Sequence, residues 1–401
     1  MRVATKELQI TTQVDAAMPT MVRAVVIGAW LIVAVVSVSH VIALVDAWTV
    51  GNETRIGLDY RAFVAAGDFV RAGQSEVLYT PAFLEAAEVD FVYPPWAAMF
   101  MVPWTFLAVE LGLVLWIVVG VVVAVAGLRA VGVTDWRFLA LASVSFPSVF
   151  ALGLGQSSFL LVGAVAFSVA AVDHSHGRAG GLRFALAGWK PHLLGGFALL
   201  AVSRPGRWRS TVVWALAGTG ALVALSALVM PGSWSAWVSF LVDSVDELAS
   251  SILEASLPGM VALALGSLDA VRYLIVGAIA VVVVPATVIV LRRSSAGSAE
   301  RLALATGVWL LLVPHVVIYD VLLMVIPLGM LLHGRFGRDV VLGGSFLALM
   351  LSVGPFVTRA QYDALGWAVD VSTLGLVAIT VVAASWVMRD RPLLGGAAPP
   401  A

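Results

Sequence analysis

Between Arg23 and Asp46 the sequence runs for 22 residues without an Asp, Glu, Lys or Arg, and apolar stretches of the same kind recur to the far end of the chain. A run of 18 or more apolar residues is long enough to cross a bilayer as a helix. In hydrocarbon every backbone N–H and C=O must find a partner inside the protein, and a helix supplies them within one segment. The sequence therefore predicts an all-α integral membrane protein. Segment 22–46 is too long and too early for a cleaved signal, so it reads as a retained helix.

Composition agrees: 61% of the residues are hydrophobic and 12% are charged. Mean hydropathy is +1.01. The absence of cysteine excludes disulfides and thiolate chemistry. Apolar spans are predicted near 22–46, 96–127, 137–151, 158–172, 211–230, 271–291, 302–313, 316–333, 340–354 and 367–388. Of 23 basic residues, 17 fall at one set of span ends, among them Lys6, Arg129, Arg183, Arg209, Arg292 and Arg338. The positive-inside rule assigns those ends to the cytoplasm. It predicts a multi-pass protein with both termini cytoplasmic: a tail at 1–21, one membrane domain over 22–390 and a second tail at 391–401.

Segment 182–203 has arginines at both flanks and is too short to cross twice as full helices. Two half-length helices meeting at "WKPH", with Pro191 breaking the backbone, satisfy the charges. The short neighbours 137–151 and 158–172 point the same way, to helices that stop partway and leave a cavity. Two outer loops are long. In 52–95, Phe63, Phe69 and Val70 share a helical face, which predicts an amphipathic helix on the membrane surface that ends near Gly73. In 231–258, Trp234, Trp237 and Phe240 recur every three residues, as interfacial aromatics do.

Four places carry ionisable or polar groups worth weighing. Asp59, in "GLDYRAF", has Tyr60 and Arg61 beside it, and its loop closes with Tyr93 in "VYPP". It is either a helix N-cap or a general base at the lipid–water boundary. In "LVPHVVIYDVLLM", His315, Tyr319 and Asp320 sit in an apolar run, where ionisable groups are costly. If a helix restarts at 315, His315 and Tyr319 share a face and the helix N-terminus favours an anion. Lys190 needs an anionic partner, either a structural carboxylate or a ligand phosphate. "GLGQSSFLL" places Gln156 in a glycine turn, as a neutral donor or simply as a turn residue. No phosphate loop, dinucleotide fingerprint, zinc spacing or nucleophile elbow is present.

Taken in order, an Asp-Tyr after the first span, "GQSEVLYT", "FVYPPWAAMFMVPWTFL", "GLGQSSFLL", "WKPHLL" and "LVPHVVIYDVLLM" make residues 50 to 330 resemble glycosyltransferase family 87. These are the polyprenyl-phosphate-mannose-dependent mannosyltransferases of GT-C fold. The resemblance implies a multi-helix bundle of about 12 spanning or half-spanning helices, with amphipathic helices in extracytoplasmic loops. It implies an active site facing away from the cytoplasm at the cell (plasma) membrane. The donor would be polyprenyl-phosphate mannose and the acceptor an outer-leaflet glycolipid, a phosphatidylinositol mannoside or lipomannan, joined by an α-1,2 linkage. Asp59 takes the role of general base. His315, Tyr60, Arg61, Lys190, Tyr93, Gln156, Tyr319 and Asp320 are candidates for donor and acceptor binding. No metal, cofactor, nucleic acid or obligate protein partner is expected. The competing expectations are a secondary transporter, or the same fold using a glucose or arabinose donor.

Overall fold

A computed structural model describes residues 20–49, 56–248, 253–265, 269–332, 334 and 336–389. Most of the predicted tail at 1–21, with Lys6, lies outside the described residues, as does the tail at 391–401. Among the described residues the regular structure is helical: α1 Thr20–Thr49, α2 Leu58–Arg71, α3 Pro81–Ala87, α4 Pro95–Met101, α5 Val109–Ala130, α6 Trp136–Val144, α7 Phe146–Leu154, α8 Ser158–Asp173 and α9 Gly177–Ala187. Then follow α10 Gly195–Ser203, α11 Pro205–Val229, α12 Ser233–Leu248, α13 Leu257–Leu265, α14 Asp269–Arg293, α15 Ser298–Leu312, α16 Val325–Leu331, α17 Gly337–Leu365 and α18 Val371–Arg389. Six of these, α1, α5, α11, α14, α17 and α18, are long and apolar enough to cross a membrane, and the bent pair α6–α7 is a seventh candidate. Shorter apolar segments at Ser158–Asp173, Pro191–Ser203 and Ile318–Leu331 complete the set.

Two expected spans are broken by proline. The stretch 96–127 is not one helix. Segment α4 gives way to a 3₁₀ turn, Val102–Phe106, and α5 begins afresh after Ala108 in extended backbone. Pro103 lacks the N–H an α-helix would need there. The stretch 137–151 is the pair α6–α7, bent by 62° at Ser145, where Pro147 occupies the first turn of α7. Segment 182–203 does divide at "WKPH", into α9, a 3₁₀ turn at Pro191–Leu194 and α10.

By its contacts the chain forms two compact units. The first holds Ser37–Leu194 and Gly206–Ser251. Within it α5 packs along α8, and α2 packs on α4 and the 3₁₀ turn after it. The apolar face of α2 was expected on the membrane surface, but it packs on protein, with Phe63 fully buried and Phe69 and Val70 partly so. Tyr60, Phe63 and Ala66 have no exposed surface and join Leu78, Phe83, Phe91, Tyr93, Met101 and Trp116 in one core. The Pro94–Pro95 turn causes this, since it returns the chain as α4 against that face. Helix α2 ends in a Schellman arrangement: Gly73 N–H donates to Val70 O (3.1 Å) and Gln74 N–H to Phe69 O (2.8 Å).

The second unit holds Met1–Val36, Gly195–Pro205 and Ile252–Ala401. Within it α15 packs between α10 and α18, and α17 packs along α18. Pro314 stops α15: Val313 adopts extended backbone (φ −71°, ψ 140°), as the residue before a proline does. The chain stays extended to Val317 and pairs with the segment around Glu254 before entering the 3₁₀ helix Ile318–Met324.

Candidate active site

In the first unit Asp59 is the second residue of α2. Gly57, with φ +66°, holds the N-cap position, so Asp59 is not the cap. A carboxylate in the first helical turn meets unpaired N–H groups and the positive end of the helix dipole. The turn between α7 and α8 is bound to this end of α2, because Gly57 N–H donates to Gly153 O (2.8 Å). Trp116 Nε1–H donates to Gly155 O (2.9 Å). Gly155 has φ +67°, and a Cβ there would lie 2.6 Å from Tyr60 Cβ and 2.8 Å from Leu113 Cδ1. Only glycine fits both the backbone and the space.

This turn brings Gln156, 5% exposed, against Asp59. Gln156 Nε2 donates to Asp59 Oδ2 at 2.6 Å. The other end of the amide accepts twice: from Tyr93 O–H at 3.2 Å and from Ser157 N–H at 3.2 Å. Two donors on Oε1 fix which way the amide points, and so fix the donor facing Asp59. Tyr93 is itself pinned. Tyr79 O–H donates to its carbonyl (2.8 Å) and Trp237 Nε1–H to that of Val92 (3.1 Å). Trp237, expected as an interfacial anchor, braces the loop that carries Tyr93. Burial pushes the Tyr79 phenol well above its ordinary value.

Lys190 is 4% exposed, and its Nζ lies 5.9 Å from the centre of the Tyr93 ring, within cation–π range. Its neighbour Trp189, whose place in the site no local pattern marks, meets the rings of Phe63, Tyr93, Trp96, Phe100 and Trp116 at 5.7–6.5 Å. Arg61 Nε–H donates to Ile56 O at 3.3 Å, which folds the guanidinium back on the preceding turn. Tyr60 is closed into the core between Trp104 and Trp116, and its hydroxyl has no hydrogen-bond partner. Burial pushes its phenol up to about 12.

The second unit carries a separate polar cluster. His315 lies in the extended stretch after Pro314, so it and Tyr319 do not share a helical face, and no helix begins at 315. Its Nδ1 contacts Glu254 Oε1. Glu254 has no exposed surface, and its Oε2 accepts Val316 N–H at 2.7 Å. Asp320 is 2% exposed and accepts Val317 N–H at 3.3 Å, bracing the first turn of the 3₁₀ helix; Tyr319 is buried beside it. Glu254 was not anticipated. Its signal was present, for it is the one charge between Glu247 and Asp269, but Val316, whose N–H it accepts, stands 62 positions away.

Asp59, Gln156, Tyr93 and Lys190 therefore belong to one unit, and the His315–Glu254 pair and Asp320 to the other. A carboxylate held by a neutral amide keeps a fixed orientation, as a group that accepts a proton from a bound hydroxyl must. A histidine backed by a buried carboxylate suits an anion or a proton. Among the described residues no three His, Asp or Glu side chains gather as a metal would require.

The sequence model of glycosyltransferase family 87 matches residues 91–318. That span includes Tyr93, Gln156, Lys190, Glu254 and His315, and leaves Asp59, Tyr60, Arg61, Tyr319 and Asp320 outside it. No curated protein and no solved structure matches the chain.

Proposed function

The chain belongs to glycosyltransferase family 87, and from that premise we propose that this membrane glycosyltransferase moves mannose from polyprenyl-phosphate mannose to a glycolipid acceptor. The acceptor is a phosphatidylinositol mannoside or lipomannan in the outer leaflet of the plasma membrane, and the new bond is α-1,2. The reaction face lies outside, with both termini in the cytoplasm, in keeping with the arginine-rich span ends.

The observation that carries this reading is the Tyr93–Gln156–Asp59 chain of hydrogen bonds. It supplies one oriented carboxylate, which is what a single displacement with inversion needs. An acceptor hydroxyl oxygen attacks the anomeric carbon, and the carbon–oxygen bond to phosphate breaks. The polyprenyl phosphate leaves with that electron pair, while the hydroxyl proton passes to Asp59. Phosphate is a good leaving group and needs no general acid. It needs positive charge or N–H donors, for which His315 is the first candidate and Lys190 and Arg61 the others.

The test is transfer from synthetic polyprenyl-phosphate mannose to a phosphatidylinositol mannoside, in detergent with EDTA, by wild type and Asp59→Asn. We expect transfer by wild type and a loss of about 10²–10⁴-fold in a folded Asp59→Asn protein. Equal rates in the two proteins would remove Asp59 as the base. No transfer by wild type to any mannoside acceptor would overturn the proposed substrates.

A further inference from the structure

Glu254 is buried completely, where a carboxylate is costly unless it is both paired and hydrogen-bonded. It is both. Oε1 meets His315 Nδ1, and Oε2 takes the Val316 N–H. The backbone repeats the pairing. Ala255 N–H donates to Val316 O (2.6 Å) and Ile318 N–H to Leu253 O (3.0 Å), around an antiparallel bridge between Glu254 and Val317. The register of two short segments thus sets the carboxylate opposite the ring.

The far side of Glu254 is held as well. A Cβ on Gly259 would come within 2.6 Å of Glu254 Cβ, so the glutamate stem rests on bare backbone. Two residues on, Ser256 Oγ accepts Gly259 N–H at 3.2 Å, and the Ser256 carbonyl accepts Thr373 Oγ1–H at 3.2 Å. Thr373 in turn is bound by Asp370 at the start of α18. The first turn of α18 therefore braces the segment that carries Glu254. A neutral acceptor would suffice for Val316 N–H; the imidazole is what calls for a charge.

We propose that Glu254 is a positioning residue. It fixes the His315 ring through Nδ1 and holds the ring in its doubly protonated form, so that Nε2–H is presented to a phosphate oxygen. If polyprenyl phosphate is the leaving group, as proposed above, this names what supports its contact in the second unit. The His315 side chain is 27% exposed and that of Glu254 is 0% exposed, so a ligand touches the imidazole and never the carboxylate. No proton is transferred. Glu254 balances the ring's charge before the phosphate arrives, and the ring's remaining N–H takes the ligand's charge afterwards. The neighbouring acid, Asp320, accepts Val317 N–H.

The experiment is calorimetric titration of the purified full-length protein in detergent with a short-chain polyprenyl monophosphate, which has no sugar to transfer. The variants are Glu254→Gln, Glu254→Asp, His315→Ala and the double variant Glu254→Gln/His315→Ala. Glutamine keeps the shape and the acceptor for Val316 N–H. We expect Glu254→Gln to weaken binding about as much as His315→Ala, roughly tenfold or more, and the double variant to bind no worse than His315→Ala. Glu254→Asp, which keeps the charge but shortens its reach, should recover part of the loss. Wild-type affinity in Glu254→Gln, beside a weak His315→Ala, overturns the positioning role and leaves the transferase reading standing. An equal further loss from Glu254→Gln in the His315→Ala background shows a general structural role and overturns it too. Absence of binding by wild type sinks the transferase reading, and the role of Glu254 with it.

Discussion

Gln156 Nε2 lies 2.6 Å from Asp59 Oδ2, a bond between side chains 97 positions apart, and its direction is set by Tyr93 O–H and Ser157 N–H at the opposite end of the amide. Gln156→Ala removes one restraint on the orientation of the carboxylate and should lower kcat about 10–100-fold with little change in KM. Tyr93→Phe removes one restraint on the amide and should cost about 1 kcal/mol, roughly a fivefold loss. Placed on Gln156→Ala, Tyr93→Phe should add little if the hydroxyl acts on Asp59 through the amide. Steady-state rates for the four proteins decide it; losses that multiply would break the relay.

Gly155→Ala tests the turn that makes this bond possible. The substitution forces a side chain into φ +67° and onto Tyr60 and Leu113. Such strain costs on the order of 1–3 kcal/mol before any clash is counted. The melting temperature in detergent should fall, and transfer should fall with it, since a backbone shift that relieves the strain displaces the carbonyl to which Trp116 donates. An unchanged melting temperature would mean that α7 and α8 can repack without harm to the site.

How legible this was depends on whether the cause was local. Pro191 between two arginine-rich flanks announced the break between α9 and α10. Pro103, inside 96–127, announced one equally well, but apolar content concealed it because hydropathy counts side chains and not backbone donors. Pro314 misled in the opposite direction. Four-residue spacing placed His315 and Tyr319 on one helical face, whereas the proline holds Val313 extended and passes His315 to a strand-like pairing. Asp59, Gln156 and Tyr93 were each visible as polar residues in apolar or turn contexts, yet nothing in the sequence joined them. Glu254 belongs to the same class, since its value lies in a partner brought up by tertiary pairing.

Asp370 gives a stability measurement with a definite sign. Its Oδ1 accepts Ser372 N–H (3.1 Å) and its Oδ2 accepts Thr373 N–H (2.8 Å). Burial nevertheless outweighs these bonds and pushes its carboxyl above the ordinary range. Between the ordinary and the raised value the folded protein keeps a proton that the unfolded chain has lost. Stability should therefore fall as pH rises through that window and level off above it. Asp370→Asn cannot titrate, so its melting temperature should lack this decline. Melting curves for both proteins from about pH 4 to pH 8 provide the test; parallel pH profiles would contradict the assignment.

Tyr60 separates packing from chemistry next to the proposed base. It has no exposed surface, its hydroxyl is unpaired, and with its phenol pushed up to about 12 it stays neutral. Tyr60→Phe removes only a buried hydroxyl that bonds to nothing, so stability should hold or rise by up to about 1 kcal/mol. Transfer should stay close to wild type. Tyr60→Ala opens a cavity beneath the first turn of α2, at a cost of about 3–5 kcal/mol, and should disturb Asp59 through the backbone. Melting temperature and kcat measured on both variants distinguish the cases. A tenfold loss of transfer in Tyr60→Phe at unchanged melting temperature would put the hydroxyl on the substrate, and the core around Tyr60 would have to open during turnover.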